Sequence, residues 1–378
     1  MNIKYILTHP IQYQSPLIKY LNKKISINVA YRSNISLTKY YDKDFNQKII
    51  LNKGLLTGYK YVFLKHFGSN KVTAIKPFTT EYIKNIFSND TKIIWLHGFA
   101  IWYNLIIILI ANIFNKKVFV RSELSNSKKK NFLKFIFKKI FYLFIDNFID
   151  CYLSIGTENK KKYLSYGISR NKIFDVPYVV DNDYFYIKKK KKYSKLKILF
   201  AGKLIHRKGC DILLKSIDLL NKDIKFKQNS EIIIVGDGEM KSELSKFVKK
   251  NNLNNVKFVG FKKQNLIRNY YKNSNVFIMP SREENWGLAI NEAMAAKNAI
   301  ISSNSVVSSK DLVKNNFNGY TFNNQDYLDL AKKILKIYNR KDKGYKLGEN
   351  SFKIISKWSF KECFLGLTKA KKFVLKKT

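Results

Sequence analysis

Two doubly wound α/β domains in tandem are what this sequence predicts, and three observations predict them. Short β-branched or aromatic runs alternate with helical patterns along the whole chain, which implies parallel sheets covered by helices on both faces. The alternation breaks once, at "DNDYFYIKKKKKYSK", and then restarts. The chain has 378 residues, 46% hydrophobic and 15% aromatic, enough for two cores of ordinary size. Global disorder is thereby excluded.

In the first half the strand-like runs are Ile3–Thr8, Ile25–Ala30, Lys92–His97, Lys117–Ser122 and Cys151–Gly156. In the second half they are Lys195–Leu204, Ser230–Glu239, Asn255–Phe261, Ser274–Ser281 and Asn298–Ser303. The expected organisation is a first domain over 1–180, a linker over 181–195, a second domain over 196–358 and a terminal helix over 359–378. No short-period repeat is visible, so solenoids are excluded.

Three cysteines, Cys151, Cys210 and Cys363, are few, odd in number and widely spaced, which fits a reducing compartment. The N-terminal text "MNIKYILTHPIQYQSP" lacks a signal-peptide layout, so a cytoplasmic location is expected. The longest apolar run, Asn104 to Phe114, is short of the roughly 20 residues a membrane span needs and reads as a buried helix. The formal net charge is +44, with 71 Lys+Arg against 27 Asp+Glu. Part of this is the compositional bias that also enriches Asn, Ile, Tyr and Phe, but such a field still attracts phosphates, anionic lipids or nucleic acid.

In open α/β sheets ligands bind beyond the carboxyl ends of the strands. Those ends carry His9 and His97 in the first domain. In the second they carry Lys203 and Lys208, Gly236–Gly238, Phe261, and Ser281–Glu284. In "FAGKLIHRKGCDILL" a strand ends at Gly202, which allows a tight turn, and a helix begins near Lys208–Gly209. Lysines beside a helix N-terminus suit a diphosphate, and a solvated loop in a lysine-rich chain fits the same spacing. "IIIVGDGEM" has a G-x-G turn without the third glycine of the dinucleotide fingerprint, so an unliganded tight turn also fits.

"PSREENWGLAINEAMA" is more informative. Its strand ends at Pro280 and its helix starts near Gly287, placing Glu284 in the loop and Glu292 inside the helix. Glu284 can reach a ligand at the strand end, and Glu292 can accept hydrogen bonds from a vicinal diol such as a ribose. An acid embedded in small apolar residues needs a partner.

The array "GKLIHRKG … VGDGEMKSEL … VKFVGF … SNVFIMPSREENWGLAINEAMAAKNAIISS … DLVKNNFNGYTF" resembles the donor-binding domain of glycosyltransferase family 4, over roughly residues 196–322. The first half resembles a bacterial branch of that family through "THPIQYQSPL", "WLHGFA", "SIGTENKKKYLSYGI" and "VPYVVDNDYF". The resemblance implies a GT-B fold, two Rossmann-like domains facing a cleft, and transfer of a sugar from a nucleotide donor with retained configuration and no metal or other cofactor. It implies that Lys208 holds the donor diphosphate, with Lys203 in place of the more usual arginine, which keeps the charge but loses the bidentate fork. Glu284 then binds hydroxyls of the transferred sugar and Glu292 the ribose. The amides after Trp286, at Gly287 and Leu288, face sugar or phosphate, and Gly202, Gly236, Gly238 and Phe261 line the donor site. His97 matches the histidine near the reacting centre, with His9 and Gln12 in the acceptor loop. Two glycine turns of the family are missing, at His9-Pro10-Ile11-Gln12 and at Ser305-Val306-Val307-Ser308.

"DND" at Asp181–Asp183 resembles the Asp-x-Asp metal motif of the other glycosyltransferase fold, but here it follows a strand and opens the linker. Ser127–Phe148 is a basic amphipathic helix with Lys130, Lys134 and Lys138 at four-residue spacing and an apolar face of Phe132, Phe135, Ile136, Ile140 and Leu143. That face is expected in the core, with adhesion to an anionic membrane as an added role. The expected partners are a nucleotide sugar, a glycan or lipid-linked acceptor and the inner face of the cytoplasmic membrane. Two rivals are a nucleotide-sugar epimerase of the same fold and a charge-driven nucleic-acid binder, which leaves Glu284 and Glu292 unexplained.

Overall fold

A computed structural model describes residues 2–37, 40–42, 47–49, 53–65, 81, 88–98, 102–124 and 132–376. Two compact units result: the first comprises 1–40, 48–179 and 359–378, the second 41–47 and 180–358.

The strands up to residue 175 are β1 (Asn2–Leu7), β2 (Ile27–Tyr31), β3 (Tyr40–Asp42), β4 (Gln47–Ile49), β5 (Lys60–Phe63), β6 (Thr91–His97), β7 (Lys117–Arg121), β8 (Cys151–Ser154) and β9 (Ile173–Asp175), all but β3 and β4 lying wholly in the first unit. β3 and β4 form a separate two-stranded sheet, and the other seven order as β5-β2-β1-β6-β7-β8-β9. Every pairing in that sheet is parallel. One face packs Tyr103, Ile107, Tyr142 and Ile145, and the other packs Leu17, Trp95, Leu367 and Val374. The terminal helix, Phe360–Leu375, belongs to this unit, opened by a capping box between Ser359 and Glu362.

The second unit holds β10 (Leu196–Ala201), β11 (Ser230–Val235), β12 (Val256–Gly260), β13 (Val276–Met279), β14 (Ala299–Ser303) and β15 (Gly319–Phe322), ordered β12-β11-β10-β13-β14-β15 and parallel throughout. This is the doubly wound order, with its switch point between β10 and β13. Its strands are near-continuous apolar runs such as "LKILFA" because helices cover both faces.

Two expectations change. The lysine-dense stretch 181–195 is part of the second unit. Asp181 caps a short helix, Asn182–Phe185, accepting from Tyr184 N at 3.0 Å, so "DND" is a helix start. Lys190 is buried, and its ammonium donates to Tyr271 O (2.6 Å), Ala296 O (2.9 Å) and Asn298 Oδ1 (3.0 Å). The helix Trp102–Ile113 is only half buried: Tyr103, Ile107, Ile108 and Ala111 face inward while Ile106, Leu109 and Ile113 are exposed. Among the described residues no helix is long and apolar enough to cross a membrane.

Candidate functional site

β10 and β13, adjacent at the switch point, deliver the charged groups. After β10 the chain runs through Gly202 and Lys203 into a 3-10 turn, His206–Lys208, and then the helix Cys210–Leu220. After β13 it runs through Ser281–Trp286 into the helix Leu288–Ala295. The Lys208 ammonium is paired with the Glu284 carboxylate, the two side chains being 16% and 13% exposed. Arg207 adds a second cation, donating to Glu284 Oε2 at 3.3 Å and to Glu283 O at 3.1 Å. The turn is fixed from below by Arg282, which donates to His206 O (2.7 Å) and, from both terminal nitrogens, to Asp211 (2.8 and 2.6 Å). Burial pushes the Asp211 carboxyl up, but Arg282 outweighs it and holds the group below its ordinary value. Arg282 is thereby neutralised. Arg207 and Lys208 converge on one carboxylate, Glu284, which leaves the turn net positive and suited to an anion; Lys203 is part-buried just past β10.

Gly287 sits at φ +89 as the residue before the helix, and a Cβ there would meet Met279 Sδ at 2.7 Å, so only glycine turns the chain here. No side chain caps this helix start, leaving its first amides directed along the axis with the positive end of the dipole. Glu292 accepts from Tyr271 Oη–H at 2.8 Å. Burial, partly offset by that bond, raises its carboxyl to about 7. The embedded acid thus has its partner in Tyr271, from a neighbouring helix. Trp286, expected to contribute through the amides that follow it, is only 2% exposed; its indole donates to Asn291 Oδ1 at 3.1 Å and packs on Trp358. It braces the turn from inside, so only its backbone can face a ligand.

Gly236 is required by close approach. Its φ is +148, and a Cβ would lie 1.8 Å from Gly202 O. At Gly202 itself a Cβ would make only ordinary contact with the Phe200 ring, at 3.7 Å, and no left-handed φ is required there. Asp237, between the glycines, accepts from Gly238 N (2.9 Å) and pairs with Lys241 (2.8 Å). Phe261 is part-buried just past β12. The Ser305–Ser308 segment packs onto the loop after β13: Ser305 Oγ donates to Ser281 O (2.7 Å) and Val307 N to Glu284 O (3.1 Å). A missing glycine turn is therefore replaced by a segment that positions Glu284.

In the first unit His97 ends β6, with Nδ1 3.3 Å from Tyr5 Oη and Nε2 3.1 Å from Tyr178 Oη. Tyr178 donates to Glu123 Oε1 at 2.7 Å, so its oxygen accepts from Nε2–H, while Tyr5 Oη, which donates to Gln14 Oε1 at 3.3 Å, lies beside Nδ1. Burial, with the nearby Arg121 charge, lowers the His97 pKa to about 3, so the ring is neutral. His9 follows β1, with Nδ1 3.0 Å from Thr8 Oγ1, and burial lowers its pKa as well. Gln12 is part-buried in the turn before the helix Gln14–Asn22.

The sequence brings Lys208 and Glu284 together as expected of neighbouring strand ends. Arg207, Arg282, Tyr271, Tyr178 and Glu123 were missed. Arg207 was legible as the third cation of "HRKG", and the others have partners distant in sequence. Among the described residues no three His, Cys, Asp or Glu converge as metal ligands.

This architecture, two α/β units each built on a parallel sheet, is the GT-B fold. The Anabaena HepE protein, crystallised with UDP and glucose, superposes with a TM-score of 0.72 at 13% identity, covering 98% of this chain and 99% of that one. Residues 184–354 match the family model described as glycosyl transferases group 1. An uncharacterised glycosyltransferase of Methanocaldococcus jannaschii is 30% identical over 171 residues, 45% of this chain and 46% of that protein. An α-1,4-N-acetyl-D-galactosaminyltransferase of Campylobacter jejuni, named for a diphosphate-undecaprenol-linked acceptor, is 28% identical over 142 residues, 38% of each. The chain thus spans less than half the length of these curated relatives.

Proposed function

We propose that this protein is a retaining glycosyltransferase of the family 4 type. It moves a sugar from a nucleotide-diphosphate sugar to a glycan or lipid-linked acceptor in cell-surface polysaccharide or lipopolysaccharide synthesis. The observation that carries this is the convergence of Lys208 and Arg207 on Glu284 beside the uncapped start of the Leu288–Ala295 helix. That arrangement offers an anion site and a hydroxyl acceptor within one pocket. The named relatives of the matched region and the resemblance of the motif support it.

In this mechanism negative charge develops on the departing diphosphate. Lys203, Lys208 and the helix amides stabilise it without a metal or cofactor. Glu284 accepts from hydroxyls of the sugar, and Glu292 from the ribose diol. Neutral His97, held by Tyr5 and Tyr178, is assigned to the acceptor side of the reaction, with His9 and Gln12 in the acceptor loop. The acceptor is met at the inner face of the cytoplasmic membrane, to which the protein attaches peripherally.

The test is a panel of nucleotide sugars, read by thermal stabilisation and by product formation with and without a lipid-linked glycan extract. Stabilisation by one donor and transfer that requires the extract are expected. Conversion of the donor sugar without any acceptor would identify an epimerase instead, and no response to any donor would remove the transferase.

A further inference from the structure

The two helices that follow β6 and β7, Trp102–Ile113 and Phe132–Ile145, are apolar on the outside as well as the inside. Successive crossovers in one direction place both on the same side of the sheet. Their inner residues, Tyr103, Ile107, Tyr142 and Ile145 among them, share one core cluster. Asn112 Nδ2 donates to Phe148 O at 2.9 Å, tying the end of the first helix to the turn after the second.

The outer stripes have the same spacing. Trp102, Ile106, Leu109 and Ile113 run along the first helix, 69, 42, 44 and 75% exposed. Leu133, Phe137, Ile140 and Phe144 run along the second, 65, 70, 59 and 62% exposed. More than half of the exposed large hydrophobic side chains among the described residues lie on this pair of helices and the adjoining Phe114. A helix apolar all round belongs in a core or in lipid, and a soluble surface does not otherwise concentrate such residues.

Charge decides the occupant. Neither helix contains an acidic residue, while Lys134, Lys138 and Lys139 are exposed beside the second stripe. A second copy would set these lysines against their own images around a two-fold axis. A nucleic acid would not cover the apolar stripes. An anionic bilayer interface takes both, with apolar side chains at the acyl boundary and ammonium groups among lipid phosphates. At about 1.5 Å per residue the helices are about 18 and 21 Å long, so they lie in the interface and do not cross it.

We propose that this two-helix face is the surface by which the protein docks on anionic membranes, by apolar insertion steered by lysine. This deepens the membrane part of the function proposed above and does not require the transfer reaction. Lys130, expected on the same helix, lies outside the described residues.

The probe is a vesicle co-sedimentation series with equimolar phosphatidylglycerol and phosphatidylcholine, against phosphatidylcholine alone. Wild type is expected to bind the anionic vesicles and to remain partly bound at about 1 M salt, where screening is effective beyond about 3 Å. Phe137→Ser with Ile140→Ser should lower the partition coefficient at least about tenfold at either salt concentration. Lys134→Gln with Lys138→Gln should lower it about fivefold per charge at low salt only. Ile224→Ser, an equally exposed apolar site on the second unit, should bind as wild type.

Thermal stabilisation of each variant by nucleotide sugar reports folding and donor binding separately. A failure of vesicle binding therefore does not touch the transferase, nor the reverse. Unchanged vesicle binding by Phe137→Ser/Ile140→Ser would overturn the proposal. So would a concentration-dependent dimer of wild type that this variant abolishes, because a second copy would then own the face.

Discussion

Glu292→Gln tests the donor site through its protons. Burial raises the Glu292 carboxyl from 4.5 to about 7, which amounts to about 3 kcal/mol against the ionised form. A ribose diol donates two O–H bonds and needs the carboxylate as acceptor, alongside the Tyr271 hydroxyl already donating at 2.8 Å. Donor binding therefore favours the ionised form and releases a proton. At pH 6 about one site in ten is ionised, so donor affinity should be about tenfold weaker at pH 6 than at pH 8. The sign for stability follows the same shift. A carboxyl raised on folding contributes stability that is present below pH 4.5 and lost as pH rises through about 7. The assay is calorimetric titration with a nucleotide sugar, whose diphosphate carries no group titrating in this range, in two buffers of different ionisation enthalpy. Wild type should show proton release and the tenfold slope, and Glu292→Gln neither. An equal slope in the variant, or a flat profile in wild type, would refute the ribose role.

Glu284→Ala removes the acceptor that Lys208 and Arg207 share, and should lose discrimination among donor sugars by about 1–3 kcal/mol. Competition kinetics between epimeric donors measure this, and unchanged ratios would contradict the assignment. Arg282→Ala leaves Asp211 part-buried without its two hydrogen bonds and should cost about 2–3 kcal/mol in urea unfolding. A double-mutant cycle with Asp211→Asn should recover most of that loss. The Asp211 contribution is present at neutral pH and lost as pH falls below about 4, since its folded pKa is depressed.

The long central strands were legible because continuous apolar runs bounded by polar turns leave little choice. β5, β9 and β15, at 4, 3 and 4 residues, were not, because no periodicity develops over so few positions. Gly319 in β15 shows what the eye misses: a Cβ there would meet Ile300 O at 1.8 Å, a constraint invisible without the neighbour. The helix Trp102–Ile113 was read as buried because an apolar residue looks the same whether it points at a core or at solvent. Phe132, Ile140 and Leu143 were expected to face the core for the same reason, and all three are exposed. Lys190 misled in the opposite direction, since a lysine run reads as solvated until three buried acceptors are found for one of its members. The neighbouring placement of Lys208 and Glu284 was legible because each follows a strand of a recognisable order. The direction of the Trp286 indole was not legible, because its position in the motif says nothing of which way the ring turns.

The measurement closest to the central claim is sugar transfer by Lys208→Ala, compared with wild type on the donor that stabilises the protein most. Removing one preorganised donor of positive charge at a developing anion typically costs ~10²–10³ in rate. With Glu284 still held by Arg207, the variant should fold normally. It is predicted to lose kcat by that factor with a far smaller change in thermal stability. Near-normal turnover by Lys208→Ala would contradict the account.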